Sequence, residues 1–159
     1  LEMAAAFGPD FLLDGARPVK ELVHEVRACT DGIGADIVIC AVPTAAVQQE
    51  ALEMVRKRGR IVIYGGVSKT GEMSSLNSNL IHYGEITVTG AFSYPATGLA
   101  DALSALADGH IHAEKYINAR VPLDDVVKGM EMISRGKALK VMIDPWLETE
   151  ASQPDRQTR

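Results

Sequence analysis

Several features that mark common protein classes are missing from this chain of 159 residues. A basic excess is absent, because 16 Lys and Arg residues stand against 21 Asp and Glu residues, for a formal net charge of −5. The positive surface expected of a nucleic-acid-binding protein is therefore missing. No apolar run approaches the roughly 18–20 residues of a membrane-spanning helix, and the first residues show no export pattern. We expect no nucleic-acid partner, no membrane partner and a cytoplasmic location.

Cysteine is scarce, and several common catalytic motifs are absent. Cys29 and Cys40 are the only cysteines and do not form a C-x-x-C pair, which indicates reduced cytosolic thiols. The chain has no P-loop, no G-x-S-x-G nucleophile elbow and no G-x-G-x-x-G turn after a strand. Gly32-Ile33-Gly34 precedes a strand and not a helix, so we interpret it as a turn and not as a phosphate-binding loop.

Apolar, β-branched runs alternate with amphipathic helical patterns along the chain. This alternation is typical of an α/β fold with a parallel sheet and helices on both faces, doubly wound in type but lacking one half. Residues 1–8 resemble the last turns of a helix, 68–78 a polar loop and 148–159 a disordered tail. The predicted strands are 10–14, 36–41, 60–64, 85–90, 116–121 and 139–143, and the predicted helices are 18–27, 43–55, 97–108 and 123–134.

The most informative run is the apolar segment that leads from Asp36 to Pro43. A continuous apolar run predicts a strand buried on both faces in the middle of a parallel sheet. In open parallel sheets, ligands bind outside the carboxyl ends of the strands. Three predicted strands end in small residues, which let a ligand approach the backbone closely. These ends predict a binding crevice, or else they only form turns: Ala41, Val42 and Pro43; Gly65, Gly66 and Val67; and Ala91, Phe92 and Ser93.

Side chains at three further places could take part in metal binding, acid/base catalysis or phosphate binding. His110 and His112 occupy alternate positions, but no Cys or carboxylate cluster accompanies them at metal-ligand spacing, so a solvated turn is the preferred interpretation. His82-Tyr83 could form an acid/base pair, although packing near the start of a strand is favoured. Lys140 lies at the start of the last predicted strand, where it is either a surface lysine or a point charge that reaches a phosphate.

Six blocks of the chain, in this order and spacing, resemble the C-terminal half of medium-chain, zinc-dependent alcohol dehydrogenases. The sorbitol, threonine and polyol dehydrogenase branch is the most similar. The resemblance covers nearly all residues from Leu1 to Pro145. Its blocks are Ala4 to Asp14, Thr30 to Ile39, Arg58 to Gly66, Glu85 to Phe92, Pro122 to Val126 and Lys137 to Ile143.

The resemblance implies a division of the chain and a set of cofactor contacts. Residues 1–93 would be a partial Rossmann domain that lacks its first strand and glycine loop, 94–146 a segment returning to the catalytic domain, and 147–159 a disordered tail. The cofactor would be NAD(P), with NAD favoured. Residues 41–43 would line its ribose and adenosine side, 65–67 and 91–93 would flank the nicotinamide, and Lys140 would reach the pyrophosphate.

The resemblance also implies what this chain lacks. In similar enzymes the zinc ligands and the proton relay belong to an N-terminal domain, so we expect no catalytic and no metal-binding residue here. The whole protein would transfer hydride between a secondary alcohol or polyol and the cofactor, while the isolated chain would be inactive. Two alternatives remain: a zinc-free quinone reductase-like member of the superfamily, and a non-catalytic α/β binding module. We also expect a homo-oligomer, with a dimer contact near residues 78–89.

Overall fold

The computed structural model describes residues 1–67 and 73–147, with the exception of the side chain of Ala96. The chain divides into two compact units, the first covering Leu1–Ser93 and the second beginning at Tyr94. The predicted tail from residue 148 onward and part of the predicted polar loop, 68–72, lie outside the described residues. No described helix has the length and the apolar character that crossing a membrane would require.

Helices and strands alternate through most of the described chain. In the first unit they are α1 (Glu2–Ala5), α2 (Val19–Ala28), β1 (Ala35–Cys40), α3 (Ala45–Met54), β2 (Val55–Ile63), α4 (Ser78–Gly84) and β3 (Thr87–Gly90). In the second unit they are α5 (Ala96–Ala107), α6 (Ala113–Tyr116), β4 (Ile117–Pro122), a 3-10 turn (Leu123–Asp125), α7 (Val126–Ser134) and β5 (Lys140–Asp144).

The first unit is built on a parallel three-stranded sheet in the order β1-β2-β3. One row across the sheet joins Val38, Ile61 and Val88. These side chains contribute to a core in which Ile61 is 1% exposed and α3 supplies Ala51 and Leu52. The α/β class with parallel strands, predicted from the alternation of patterns, is confirmed.

The other face of β1 does not match the sequence prediction of a strand buried on both sides. Ile37 and Ile39 are 57% and 63% exposed, whereas Cys40 on the opposite face is 1% exposed. The reason is the position of β1 at the edge of the described sheet, with α3 packed against only one of its faces. The apolar run correctly predicted a strand, but burial on both faces was wrong.

The predicted strand at residues 10–14 is also wrong. This segment has no regular secondary structure, and Phe11 and Leu12 are 61% and 41% exposed. A β-strand is stabilised by hydrogen bonds to a neighbouring strand. The described part of the sheet contains β1, β2 and β3 and no strand that pairs with this segment.

Helix α4 was not predicted, although one signal for it is visible in the sequence. The side chain of Asn77 accepts hydrogen bonds from the backbone N–H groups of Asn79 (3.0 Å) and Leu80 (3.4 Å). Asparagine is among the preferred N-cap residues because it satisfies such free donors. Glu85 ends the helix in a left-handed conformation with φ of 51°. His82 and Tyr83 therefore lie on an exposed helix and not at the start of a strand.

Strand β2 begins earlier than predicted and contains a bulge. Two steps along β1, from Ala35 to Ile37, correspond to five steps along β2, from Val55 to Arg60. Arg58 lies within this bulge with φ of 60°, and Gly59 follows it. A Cβ atom at Gly59 would lie 2.6 Å from Val55 Cγ2 and 2.9 Å from the Arg56 carbonyl oxygen. The bulge thus depends on a position without a side chain.

The second unit contains a parallel pair, β4 and β5, covered by α7. Gly129 of α7 packs on the pair, since a Cβ atom there would lie 3.1 Å from Val141 Cγ1 and 3.2 Å from Val121 Cγ2. The side chain of Asn118 accepts hydrogen bonds from the N–H groups of Leu139 (2.9 Å) and Lys140 (3.4 Å). Asn118 therefore helps to hold the start of β5 beside β4.

We expect Gly59→Ala to lower the free energy of unfolding by about 1–3 kcal/mol, because the new methyl group would overlap Val55 and backbone oxygen atoms. Urea unfolding followed by circular dichroism measures the change. Gly15→Ala is the matched control, since a Cβ at Gly15 meets nothing within 4 Å. An equal effect of the two substitutions would contradict the role given to the bulge.

An ion pair links the bulge of β2 to the end of α4. Arg58 Nε lies 2.7 Å from Glu85 Oε2, and this hydrogen bond together with the charge of Arg58 lowers the pKa of Glu85. Because folding lowers this pKa, the stabilisation is present above the ordinary pKa of a glutamate and is lost as pH falls through the lowered value.

We expect Arg58→Gln to raise the pKa of Glu85 towards its ordinary value, because the substitution removes both the hydrogen bond and the positive charge. A carbon-13 NMR titration of the side-chain carboxyl measures the change. Arg135→Gln serves as the control, because Arg135 pairs with Glu131 in the second unit. A Glu85 pKa that is unchanged by Arg58→Gln would contradict the assignment.

Candidate functional site

The register of the sheet places the ends of its three strands side by side. Cys40 is paired with Ile63, and Ile63 with Gly90. Two of the predicted tripeptides follow directly after their strands and the third follows one residue after β2, so all three leave the sheet at the same edge. This carboxyl edge is formed by Ala41, Val42 and Pro43, by Gly65, Gly66 and Val67, and by Ala91, Phe92 and Ser93.

Hydrogen bonds between successive strand ends hold the carboxyl edge together. The carbonyl oxygen of Cys40 accepts from the N–H groups of Tyr64 (3.1 Å) and Gly65 (2.7 Å). The carbonyl oxygen of Ile63 accepts from the N–H of Ala91 (2.9 Å). The connections after the strands are thereby fixed relative to one another for at least one residue beyond the sheet.

Gln48 holds the carboxyl edge through a hydrogen bond to Gly65, a role that was not predicted from the sequence. Its side chain is 4% exposed, and its Nε2 donates to the Gly65 carbonyl oxygen at 3.4 Å. Among the described residues, Gln48 is the one polar residue that is buried. It precedes Leu52 by one helical turn, so the periodicity of α3 already places it on the inward face.

Glycine has two different uses at the carboxyl edge. A Cβ atom at Gly65 would lie 2.9 Å from the carbonyl carbon and oxygen of Ala41, so this position is needed for close contact between backbones. A Cβ atom at Gly66 or Gly90 would meet no described atom within 4 Å, so the space beside them is open. The backbone beside Gly66 and Gly90 is therefore open to close approach by a ligand.

The side chains at the carboxyl edge are mostly apolar and uncharged. Phe92 is fully exposed, and Tyr64 and Val42 are 65% and 51% exposed. Ser93 adopts a left-handed conformation with φ of 60°. Among the described residues, the backbone N–H groups of Phe92 and Ser93 donate no hydrogen bond, so they are available to a ligand. The edge can therefore offer donors to a neutral amide or carbonyl group.

Lys140 belongs to the second unit and is the first residue of β5. Its side chain is exposed and forms no ion pair with another described residue. Because Lys140 and the carboxyl edge lie in different units, its contact with a ligand at that edge stays a prediction.

No group of three or more His, Cys, Asp or Glu residues that could hold a metal ion occurs within residues 1–67 and 73–147. The described residues therefore do not fit a zinc site. His110 and His112 lie in the exposed turn after α5, and Nδ1 of His112 is 3.2 Å from a carboxylate oxygen of Glu114.

Burial raises the pKa of the Cys40 thiol, which keeps it protonated.

His82 and Tyr83 do not form part of the carboxyl edge. Their ring centroids lie 4.8 Å apart in an edge-to-face arrangement on α4. Helix α4 precedes β3, so the pair lies towards the end of the sheet where the strands begin.

Comparison with known proteins places this fold in a family. Residues 1–108 match the family model described as zinc-binding dehydrogenase. The chain therefore belongs to the zinc-binding dehydrogenase family. A sorbitol dehydrogenase from Halalkalibacterium halodurans is 27% identical over 146 residues, which cover 91% of this chain and 41% of that enzyme.

Solved structures agree with this assignment. An alcohol dehydrogenase from Thermus sp. ATN1 has a TM-score of 0.77 and 30% identity, covering 91% of this chain and 41% of that one. An alcohol dehydrogenase from E. coli, solved in complex with NADH, has a TM-score of 0.77 and 22% identity, covering 89% and 40%. At the latter identity the likeness shows the fold alone. The chain spans about two fifths of the proteins that it matches, and the match is to their C-terminal part.

We expect Gly65→Ala to separate the first two strand ends, because its methyl group would overlap the backbone of Ala41 and Val42. The free energy of unfolding should fall by about 1–3 kcal/mol, and the amide signals of Ala41 and Val42 should shift in NMR spectra. Gly66→Ala is the matched neighbour, with open space around it. Similar losses of stability in the two variants would contradict the backbone contact.

Proposed function

We propose that this chain is the cofactor-binding part of an NAD(P)-dependent dehydrogenase that oxidises a secondary alcohol or a polyol. The observation that carries the proposal is the carboxyl edge, where three parallel strands end together in small or uncharged residues. In open parallel sheets this is where ligands bind. Membership of the zinc-binding dehydrogenase family and the similarity to a sorbitol dehydrogenase support the reaction class and the substrate class.

At the carboxyl edge the residues of this chain bind and orient the nicotinamide half of the cofactor. The cofactor, when bound, supplies the group that accepts a hydride. The open space beside Gly66 and Gly90 admits the ring, and the free N–H groups of Phe92 and Ser93 donate to its carboxamide. The exposed side chain of Phe92 limits the access of water to one side of the ring. Residues 41–43 line the ribose and adenosine side.

The remaining functions are assigned to the rest of the whole protein and to the second unit. Lys140 binds the pyrophosphate as a point charge, which its exposed position permits. Zinc ligands and the proton relay are assigned to the N-terminal part of the whole protein, which this chain does not cover. NAD is favoured over NADP, and the 159-residue chain alone is inactive. The homo-oligomer expected from the sequence also stays a prediction.

We expect reduced nicotinamide mononucleotide to shift the amide signals of Gly66, Gly90 and Phe92 in NMR spectra of the full 159-residue chain. Affinity on the order of 1 mM is sufficient for this measurement. With NADH in place of the mononucleotide, Lys140→Ala should weaken binding several-fold. Lys137→Ala is the control, because Lys137 lies on the loop before β5. Saturable shifts confined to residues away from the carboxyl edge would contradict the proposed site.

Activity gives a separate test. The isolated chain should show no turnover of sorbitol, threonine or 2,3-butanediol with NAD or NADP, because it contains no described metal-ligand cluster. The same assay with a quinone and NADPH examines the quinone reductase alternative. Turnover above background in either assay would contradict the assignment of catalytic groups to the rest of the protein.

A further inference from the structure

A cavity lies in the first unit, at the end of the sheet opposite the carboxyl edge. Its volume is about 550 Å³, and it is lined by residues of α2, α3 and α4, by the start of β2 and by the residues that precede β1 and β3. The volume falls within the range of small-molecule sites, about 300–1,000 Å³. None of its lining residues belongs to the carboxyl edge.

The inner surface of this cavity is apolar. Leu52 and Val55, each 3% exposed, belong to the core of the unit. Leu80 of α4 and Ile86 before β3 continue this surface, and Ile33, 61% exposed, lies among the lining residues. An aliphatic chain placed here would contact aliphatic side chains along its length and would leave water, which is favourable.

The charged side chains that line the cavity are all positive. Arg27, Arg56 and Lys57 line the cavity, whereas no Asp or Glu of the described residues does. The whole chain carries a formal net charge of −5. The lining of the cavity, with three positive side chains, therefore has the opposite sign of charge. An electrostatic preference for an anion follows from this arrangement.

The two arginines are already engaged with the protein. Arg27 donates to the backbone carbonyl oxygens of Gly32 and Ile33 (both 3.3 Å) and Glu53 (3.1 Å), so it fixes the wall of the cavity while keeping its charge. The charge of Arg56 is balanced by Asp36.

Lys57 is the lining residue whose positive charge could pair with a ligand. Its ammonium group forms no ion pair with another described residue, and its side chain is exposed. The charge of Lys57 helps to lower the pKa of Glu85, but the carboxylate of Glu85 is hydrogen-bonded to Arg58. The polar side chains of Asn79 and Tyr83 complete the lining near Lys57.

We propose that this cavity binds an amphipathic monocarboxylate, with its aliphatic chain on Leu52, Leu80 and Ile86 and its carboxylate at Lys57. The ammonium group of Lys57 matches one carboxylate charge, and the apolar lining of a cavity of about 550 Å³ matches an aliphatic chain. This binding site is independent of the dehydrogenase function proposed above, because it uses none of the same residues.

The test uses octanoate as the probe and the full 159-residue chain labelled with nitrogen-15. Octanoate should shift the amide signals of Lys57, Asn79 and Tyr83 in a saturable way, and should leave those of Gly66 and Gly90 in place. Octanol, which lacks the charge, and acetate, which lacks the chain, should each bind at least several-fold more weakly. Binding of octanoate should also weaken with added salt, because Lys57 is exposed.

Two variants separate the two parts of the recognition. Lys57→Gln should weaken octanoate about 3- to 10-fold, the range expected for one charge-assisted hydrogen bond at an exposed site, and should leave octanol unchanged. Leu80→Asn should weaken both probes. Lys20→Gln is the control, since Lys20 is an exposed lysine of the same unit outside the cavity.

Three results would overturn the proposal. The first is the absence of saturable shifts at the cavity, and the second is equal binding of octanoate and octanol. The third is equal octanoate binding by the Lys57→Gln and Lys20→Gln variants. Lys57 is exposed, so its substitution should preserve the fold, and an unchanged amide spectrum of the free variant verifies this.

Discussion

The pairing of β1 with β2 is the interaction on which the rest of the first unit depends. It sets Val38 beside Ile61, which places both under α3, and it sets Cys40 beside Ile63, which aligns the strand ends. A slip of one residue would turn every side chain of the strand to the opposite face. Burial of Ile61 at 1% exposure therefore fixes the core and the carboxyl edge at the same time.

The two ends of the sheet have opposite chemical character. At the carboxyl edge the strands end in glycine, alanine and exposed apolar side chains, so a ligand would meet backbone and neutral surface. At the other end, Arg27, Arg56 and Lys57 accompany an apolar cavity. Both ends are organised by α3, which supplies Gln48 under Gly65 and Leu52 to the cavity. One helix therefore supports two surfaces of different chemistry.

Local patterns in the sequence predicted most of the elements, because helix periodicity and apolar runs are local properties. The strands around Ile37 and Val88 and the helix around Leu52 were predicted within two residues of their ends, whereas β2 around Ile61 begins five residues earlier than predicted. Burial was harder to predict, since the exposed face of β1 depends on which neighbours are present. The strand predicted at residues 10–14 was wrong for the same reason, as pairing is a tertiary contact.

Side-chain partnerships between residues far apart in the sequence could not be predicted from local patterns. The hydrogen bond from Gln48 to Gly65 joins residues 17 positions apart, and Lys57 was not singled out because its uncommitted charge is visible only when Arg56 and Glu85 are placed. The tripeptides of the carboxyl edge were predictable because parallel topology brings strand ends together. Their role in binding a cofactor stays a proposal.

The bulge in β2 has a consequence for how the chain tolerates changes in its length. Five steps along β2 correspond to two along β1 at the bulge, after which the regular register resumes from Arg60 onward. A residue gained or lost between Arg56 and Arg58 would alter the size of the bulge, while the pairing of residues 60–63 and the strand ends beyond it would keep their positions. The cavity end of the sheet can therefore vary in loop length without any change in the geometry of the carboxyl edge.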